Sequence, residues 1–160
     1  MKTSEKQKTS VHLVKLCVGI ENPSELLIWE KELLKQAKLK KVQVEDTHWT
    51  RHRPKRSSEL LSGGGSLYWV INGIIRVRHR ILRLDDVEDK ENNKFCAIVY
   101  DPKVILVEPR PRRAFQGWRY LEAQDAPPDL KDQAIARCHL MQTKDLPKKM
   151  GEELRKLGLA

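Results

Sequence analysis

A chain of 160 residues with 39% hydrophobic and 33% charged side chains has the composition of a soluble globular domain, and at this length it folds without covalent staples. The formal charge of +9, from 31 lysines and arginines against 22 acids, sets the electrostatic condition for a polyanionic partner. No apolar run approaches the roughly 20 residues of a membrane-spanning helix, and the polar start MKTSEKQKTS lacks the apolar stretch of a signal peptide. The expectation is a cytoplasmic protein without a membrane partner: a disordered polar tail over residues 1–10, then a single domain over 11–160. Cys17, Cys96 and Cys138 are odd in number and far apart, which predicts reduced thiols rather than a disulfide framework or zinc ribbon.

In chain order, the β-branched run Val11 to Ile20 predicts a buried strand. Asn22-Pro23-Ser24-Glu25 then reads as a helix start, with Asn22 as cap, Pro23 at the first helical position and Glu25 three residues past the cap. Leu26, Trp29, Leu33 and Ala37 recur at helical spacing, and Lys35, Lys38, Lys40 and Lys41 gather at the negative end of the helix dipole. Val42 to Trp49 predicts a second strand, followed by the loop TRHRPKRSS and a helical turn through Glu59, Leu60 and Leu61.

Gly63-Gly64-Gly65 precedes a strand rather than Lys-Ser and a helix, so it reads as a bend, not a phosphate loop. Asn72-Gly73 between β-rich runs is a strong hairpin signal. Phe95 to Tyr100 and Val104 to Val107 predict two further strands separated by Asp101-Pro102. The stretch PRPRRAFQGWRY has no period, Asp125 to Asp132 reads as a loop and Cys138 to Thr143 as a last strand. A closing helix is predicted from the cap Asp145 to the stop Gly158, with Met150, Leu154 and Leu157 on one face. The sum is an α+β domain of about six short, mostly antiparallel strands with flanking N-terminal and C-terminal helices.

A two-residue turn at Asn72-Gly73 would set Trp69 opposite Arg76, Tyr68 opposite Val77 and Leu67 opposite Arg78. One face then carries Tyr68, Val70, Ile75, Val77, His79 and Ile81, a core face with an imidazole in it. The other carries Trp69 with Arg76, Arg78 and Arg80, cations about 7 Å apart, suited to phosphates unless a helix covers them and acids such as Asp85, Asp86 or Glu108 pair them. Two more segments interleave arginine with aromatics: His48 to Arg56, with Trp49, Arg51 and Arg53, and Arg110 to Tyr120, with Arg112, Arg113 and Trp118. That mixture suits unpaired nucleic acid, since the cation meets phosphate while the ring stacks on a base.

No catalytic constellation assembles. His48 and His52 stand four apart, but Pro54 argues against a helix there and no third metal ligand is evident. His12 and His79 read as satisfied strand histidines, and adjacent Cys138 and His139 would point to opposite faces of a strand. No metal and no cofactor is expected.

HLVKLCVGI at 12–20, GGSLYWVINGIIRVRHRILRL at 64–84 and FQGWRYL at 115–121 resemble the motifs of a family of small alphaproteobacterial proteins known only as domain of unknown function 1489. More distantly, His12-Leu13-Val14-Lys15, the Trp49-to-Arg53 spacing, Gly65-Ser66-Leu67-Tyr68 and the stretch Pro147 to Gly158 resemble, in that order, the elements of EVE domains in the PUA-like superfamily of small barrels. The departures are Leu16-Cys17-Val18 where those have Ser-Glu-Pro, and Ser66 where they have aspartate. That second resemblance implies a small barrel with Trp49 lining a pocket for a modified base, helped by Trp118 or Tyr68.

The expected function is non-catalytic binding of nucleic acid, RNA more than DNA, by a monomer. Phosphate contacts are expected from Arg51, Arg53, Arg76, Arg78, Arg80, Arg112 and Arg113, and stacking from Trp49, Tyr68, Trp69 and Trp118. The alternatives are a nucleic-acid-processing enzyme using Asp85, Asp86 or His79, and a protein-interaction module using the Trp69 face.

Overall fold

The computed structural model describes residues 11–113 and 115–142; the expected polar tail and the closing helix from Asp145 to Gly158 lie outside them. In chain order the elements are β1 (Val11–Leu16), α1 (Pro23–Lys40), β2 (Asp46–Thr50), α2 (Ser57–Ser62), β3 (Ser66–Ile71), β4 (Ile74–Glu88), β5 (Lys94–Tyr100), β6 (Ile105–Pro111), β7 (Trp118–Glu122), a 3-10 turn (Ala123–Asp125) and α3 (Gln133–Gln142). This is a mixed α+β fold.

The start of α1 forms as its capping residues dictate. The Asn22 side chain accepts from Ser24 N at 2.9 Å, and the Glu25 carboxylate accepts from Asn22 N at 3.0 Å, satisfying amides that a helix start leaves without partners. Glu30, buried on the same helix, accepts from Val104 N and pairs with Arg137, so α1 is tied to α3 and to the chain leading into β6.

The strands run in the order β2-β5-β4-β3-β1-β7, with β6 also on β4. All pairs are antiparallel except β1 with β3, whose parallel connection needs a long crossover, filled here by α1, β2 and α2. The 15-residue β4 organises the sheet: Ile74 to Arg80 pair with β3, Ile74 to Arg78 also with β6, and Ile81 to Glu88 with β5. A register shift between Ile81 and Arg83 marks the handover, since an extra residue bends a strand. The expected barrel is not closed: among the described residues β2 and β7 end the sheet without pairing to each other.

Two hydrophobic clusters lie on opposite faces of β1 and β3. The larger joins Leu13, Leu67, Trp69, Ile71, Val77 and Ile98 with Leu26 and Leu27 of α1 and Leu60 of α2, and the smaller holds Val14, Tyr68, Val70, Ile75, Val107 and Leu121. Each such aliphatic side chain contributes about 1.5–3 kcal/mol on burial. Gly65 fits where no other residue would, since a Cβ there would meet Leu60 O at 2.9 Å.

Three further stretches differ from, or add to, the reading of the sequence. Cys138 to Thr143 is not a strand: residues up to Gln142 belong to α3, which Gln133 anchors through its side chain on Leu106 N and O at 2.8 Å. The stretch PRPRRAFQGWRY supplies the end of β6 and the start of β7, its pairing donated by β4 and β1 rather than announced by local period. The third concerns the hairpin. Asn72 (φ 50°) and Gly73 (φ 75°) make the expected tight turn, and Val70 opposes Ile75, but Trp69 then opposes Val77, Tyr68 opposes Arg78 and Leu67 opposes His79. Arg76 is the extra residue of a β-bulge, and a one-residue slip moves every later side chain of the partner strand to the other face. Trp69 therefore shares the main core with His79, and Tyr68 shares the other face with Arg78.

Candidate nucleic-acid interface

The bulge decides what the hairpin can offer. Trp69 is 6% exposed and Tyr68 4%, so neither presents an open ring to a base. Trp69 donates from Nε1 to His79 Nδ1 at 2.8 Å, and His79 stacks on Tyr100 with ring centroids 4.7 Å apart. Tyr100 Oη and Trp29 Nε1 both donate to Asp46 Oδ2, at 3.0 and 2.9 Å. Burial holds His79 neutral, its pKa lowered to about 4, and pushes the Tyr100 hydroxyl up, with Asp46 adding to the shift. This is a satisfied polar core that joins β2, β3, β4 and β5 to α1. At its border His48 sits edge-on to Trp69, with Nε2 buried and without a hydrogen-bond partner among the described residues.

The hairpin arginines separate. Arg78 is held by Asp129 through two bonds of 2.8 Å and by Ser66 Oγ at 2.7 Å. Arg76 is half-buried beside a 190 Å³ cavity lined by Leu106, Pro109, Leu130 and Ala136, while Arg80 is exposed. The third segment is also engaged internally: the guanidinium of Arg112 lies over Phe115 at 5.2 Å and half-buried Trp118 sits edge-on to Tyr120. Arg113 is exposed. Asp85 pairs with Arg83 and Asp86 with Arg53, at 2.9 and 3.2 Å, and His79 is buried.

The segment after β2 behaves differently. Thr50 is the last paired residue of β2, and the chain turns past the end of the sheet through Arg51, His52 and Arg53 toward α2. There it meets the β4–β5 turn, whose conformation Asp89 fixes by accepting from Glu91 N and Asn93 N at 2.8 and 2.9 Å. Between the two lies a groove of about 600 Å³ lined by Arg51, His52, Arg53, Lys55 and Lys94 against Asp86 and Glu88, with Val87, Phe95 and Cys96 as its apolar part. A second cavity of about 330 Å³ adjoins it, lined by Arg51, His52, Asn93 and Lys94.

Arg53 bridges to Leu84 O and Asp86, and Arg56, farther along, is clamped by Glu59 and Glu122. Arg51, Lys55 and Lys94 are exposed, with no acid bonded to them among the described residues. Trp49, two residues before Arg51, is 56% exposed. Sequence reasoning found Trp49, Arg51 and Arg53 but not Lys94 and Phe95. Those two stand more than 40 positions from Arg51, and nothing local marks them; the β2–β5 pairing brings them there.

The family model described as "Protein of unknown function (DUF1489)" matches residues 13–160. The chain belongs to the DUF1489 family. No curated protein and no solved structure matches it. The match takes in β2, the loop after it, β4 and β5, so the groove is part of the DUF1489 domain itself and not of a segment appended to it. No helix among the described residues is long and apolar enough to cross a membrane.

Proposed function

We propose that this DUF1489 domain is a non-catalytic module that binds single-stranded nucleic acid, RNA before DNA, as a cytoplasmic monomer. The observation that carries the reading is the groove at the sheet end: Arg51, Lys55 and Lys94 line one cavity with no acid bonded to them among the described residues, and exposed Trp49 lies two residues before Arg51 in the chain. Cations lining a groove track a phosphate backbone, and an exposed ring offers unpaired bases a stacking surface. A distant kinship with EVE and PUA-like domains belongs to the same proposal, supported by the order of motifs: the strand with His12-Leu13-Val14-Lys15, then the Trp49-to-Arg53 segment, then Gly65-Ser66-Leu67-Tyr68 leading into the hairpin.

Three phosphate contacts, from Arg51, Lys55 and Lys94, predict a binding constant for single-stranded RNA that falls with salt at a logarithmic slope of about −2. Fluorescence anisotropy of a labelled single-stranded RNA titrated with the protein over a salt series measures it. A flat salt dependence, or no binding at low salt, would overturn the reading.

A further inference from the structure

The pairing of β2, β4 and β5 places a second aromatic beside Trp49. Trp49 opposes Ala97, Ala97 opposes Asp85 on the other side, and Phe95 opposes Val87. Directly opposed residues share a face and alternate residues return to it, so Trp49, Phe95 and Val87 stand on one face of the sheet. Phe95 is the diagonal neighbour of Trp49, at a spacing of about 7–8 Å between backbone positions. Ala97, opposite Trp49, raises no bulk between the two rings. Asp86, Lys94 and Cys96 belong to the opposite face by the same alternation, yet Val87 and Phe95 line the groove together with them, so the groove runs across the end of the sheet. On the far flank, Arg83 pairs with Glu45 and Asp85 at 2.9 Å, which closes that side with neutralised charge. Phe95 lines the groove, Trp49 stands next to it on the sheet face without lining it, and Arg51, His52 and Lys94 form the wall shared by the two cavities.

We propose that Trp49 and Phe95 form an aromatic shelf for a base of a single strand whose phosphates lie on the shared wall of Arg51, His52 and Lys94. This rests on the single-stranded nucleic-acid reading of the groove and adds the second ring, Phe95, and recognition of the base without regard to sequence. The bases of a duplex are stacked inside it, whereas a ring shelf accepts any base with a free face.

The test uses the full chain with two probes, a labelled homopolymeric single-stranded RNA and a strand of equal length with abasic sites, against Trp49→Ala, Phe95→Leu and the double variant Arg51→Ala/Lys94→Ala. Thermal unfolding checks that each variant is folded. The shelf variants are expected to weaken binding of the base-bearing strand by about fivefold or more, with the salt slope unchanged and abasic binding unchanged. The double variant is expected to weaken both probes and flatten the slope. If Trp49→Ala and Phe95→Leu bind like the parent while the double variant loses binding, the shelf is refuted and the groove stands; the same holds if the shelf variants weaken both probes equally. If the double variant binds like the parent, the groove reading falls and the shelf with it.

Discussion

The β3–β4 hairpin and the loop after β2 are both rich in arginine and tryptophan, and the structure treats them in opposite ways. In the hairpin Trp69 is buried with its indole nitrogen bonded to His79, and Arg78 is clamped by Asp129. In the loop Trp49 is more than half exposed, and Arg51, with Lys55 and Lys94, lines a groove without a bonded acid among the described residues. Local density of cations and rings is the same signal in both. What separates them is a partner within reach: His79, ten positions along the same hairpin, accepts from the Trp69 indole, and Asp129, 51 positions away, holds Arg78.

The two tryptophans give the widest contrast. Trp69→Ala is expected to destabilise the fold by about 3–5 kcal/mol, from the cavity and the stranded His79 nitrogen. Trp49→Ala is expected to stay within about 0.5 kcal/mol of the parent while weakening single-strand binding. Chemical denaturation measures both, and equal losses would erase the distinction.

A pH series sharpens it from the buried side. The pKa of His79 is lowered to about 4 by burial, whereas the unfolded chain takes its proton near the ordinary value of about 6.5. Its neutral form is therefore favoured in the fold: the associated stability is present above about pH 6.5 and is lost as pH falls toward 4, by roughly 3 kcal/mol. His12 and His48, also lowered to about 4 chiefly by burial, act in the same direction. His79→Gln should flatten the acid limb of a stability-against-pH curve; an unchanged limb would place the titration elsewhere.

Arg78→Ala comes next, with an expected loss of about 1–2 kcal/mol from the partly exposed clamp and no change in nucleic-acid affinity measured on folded protein. A binding loss without a stability loss would return the hairpin to the interface.

The parts of this fold that sequence made legible are those fixed by neighbouring residues. Asn22-Pro23-Ser24-Glu25 built its capping box and Asn72-Gly73 its tight turn because each motif closes its hydrogen bonds or backbone angles within a few residues. The bulge at Arg76 could not be read, because its position depends on how β3 and β6 both pair with β4, and that single residue reversed the inferred company of Trp69. The helix α3 was misread because QAIARCHLMQ has only a weak apolar stripe and none of its residues is fully buried; Gln133 and Arg137 hold it through bonds to β6, Val104 and Glu30. At the groove, Trp49, Arg51 and Arg53 were legible as an acid-free basic run, whereas Lys94 and Phe95 belong to the site only through the β2–β5 register.

The most direct test compares the salt dependence of single-stranded RNA binding for Arg51→Ala/Lys94→Ala with that for Arg76→Ala/Arg80→Ala. The groove variant is predicted to lower the magnitude of the logarithmic slope by about 1.4, two contacts at roughly 0.7 each, and the hairpin variant to leave it at the parent value. A slope that falls for the hairpin variant and holds for the groove variant would contradict the assignment of the binding surface to the end of the sheet.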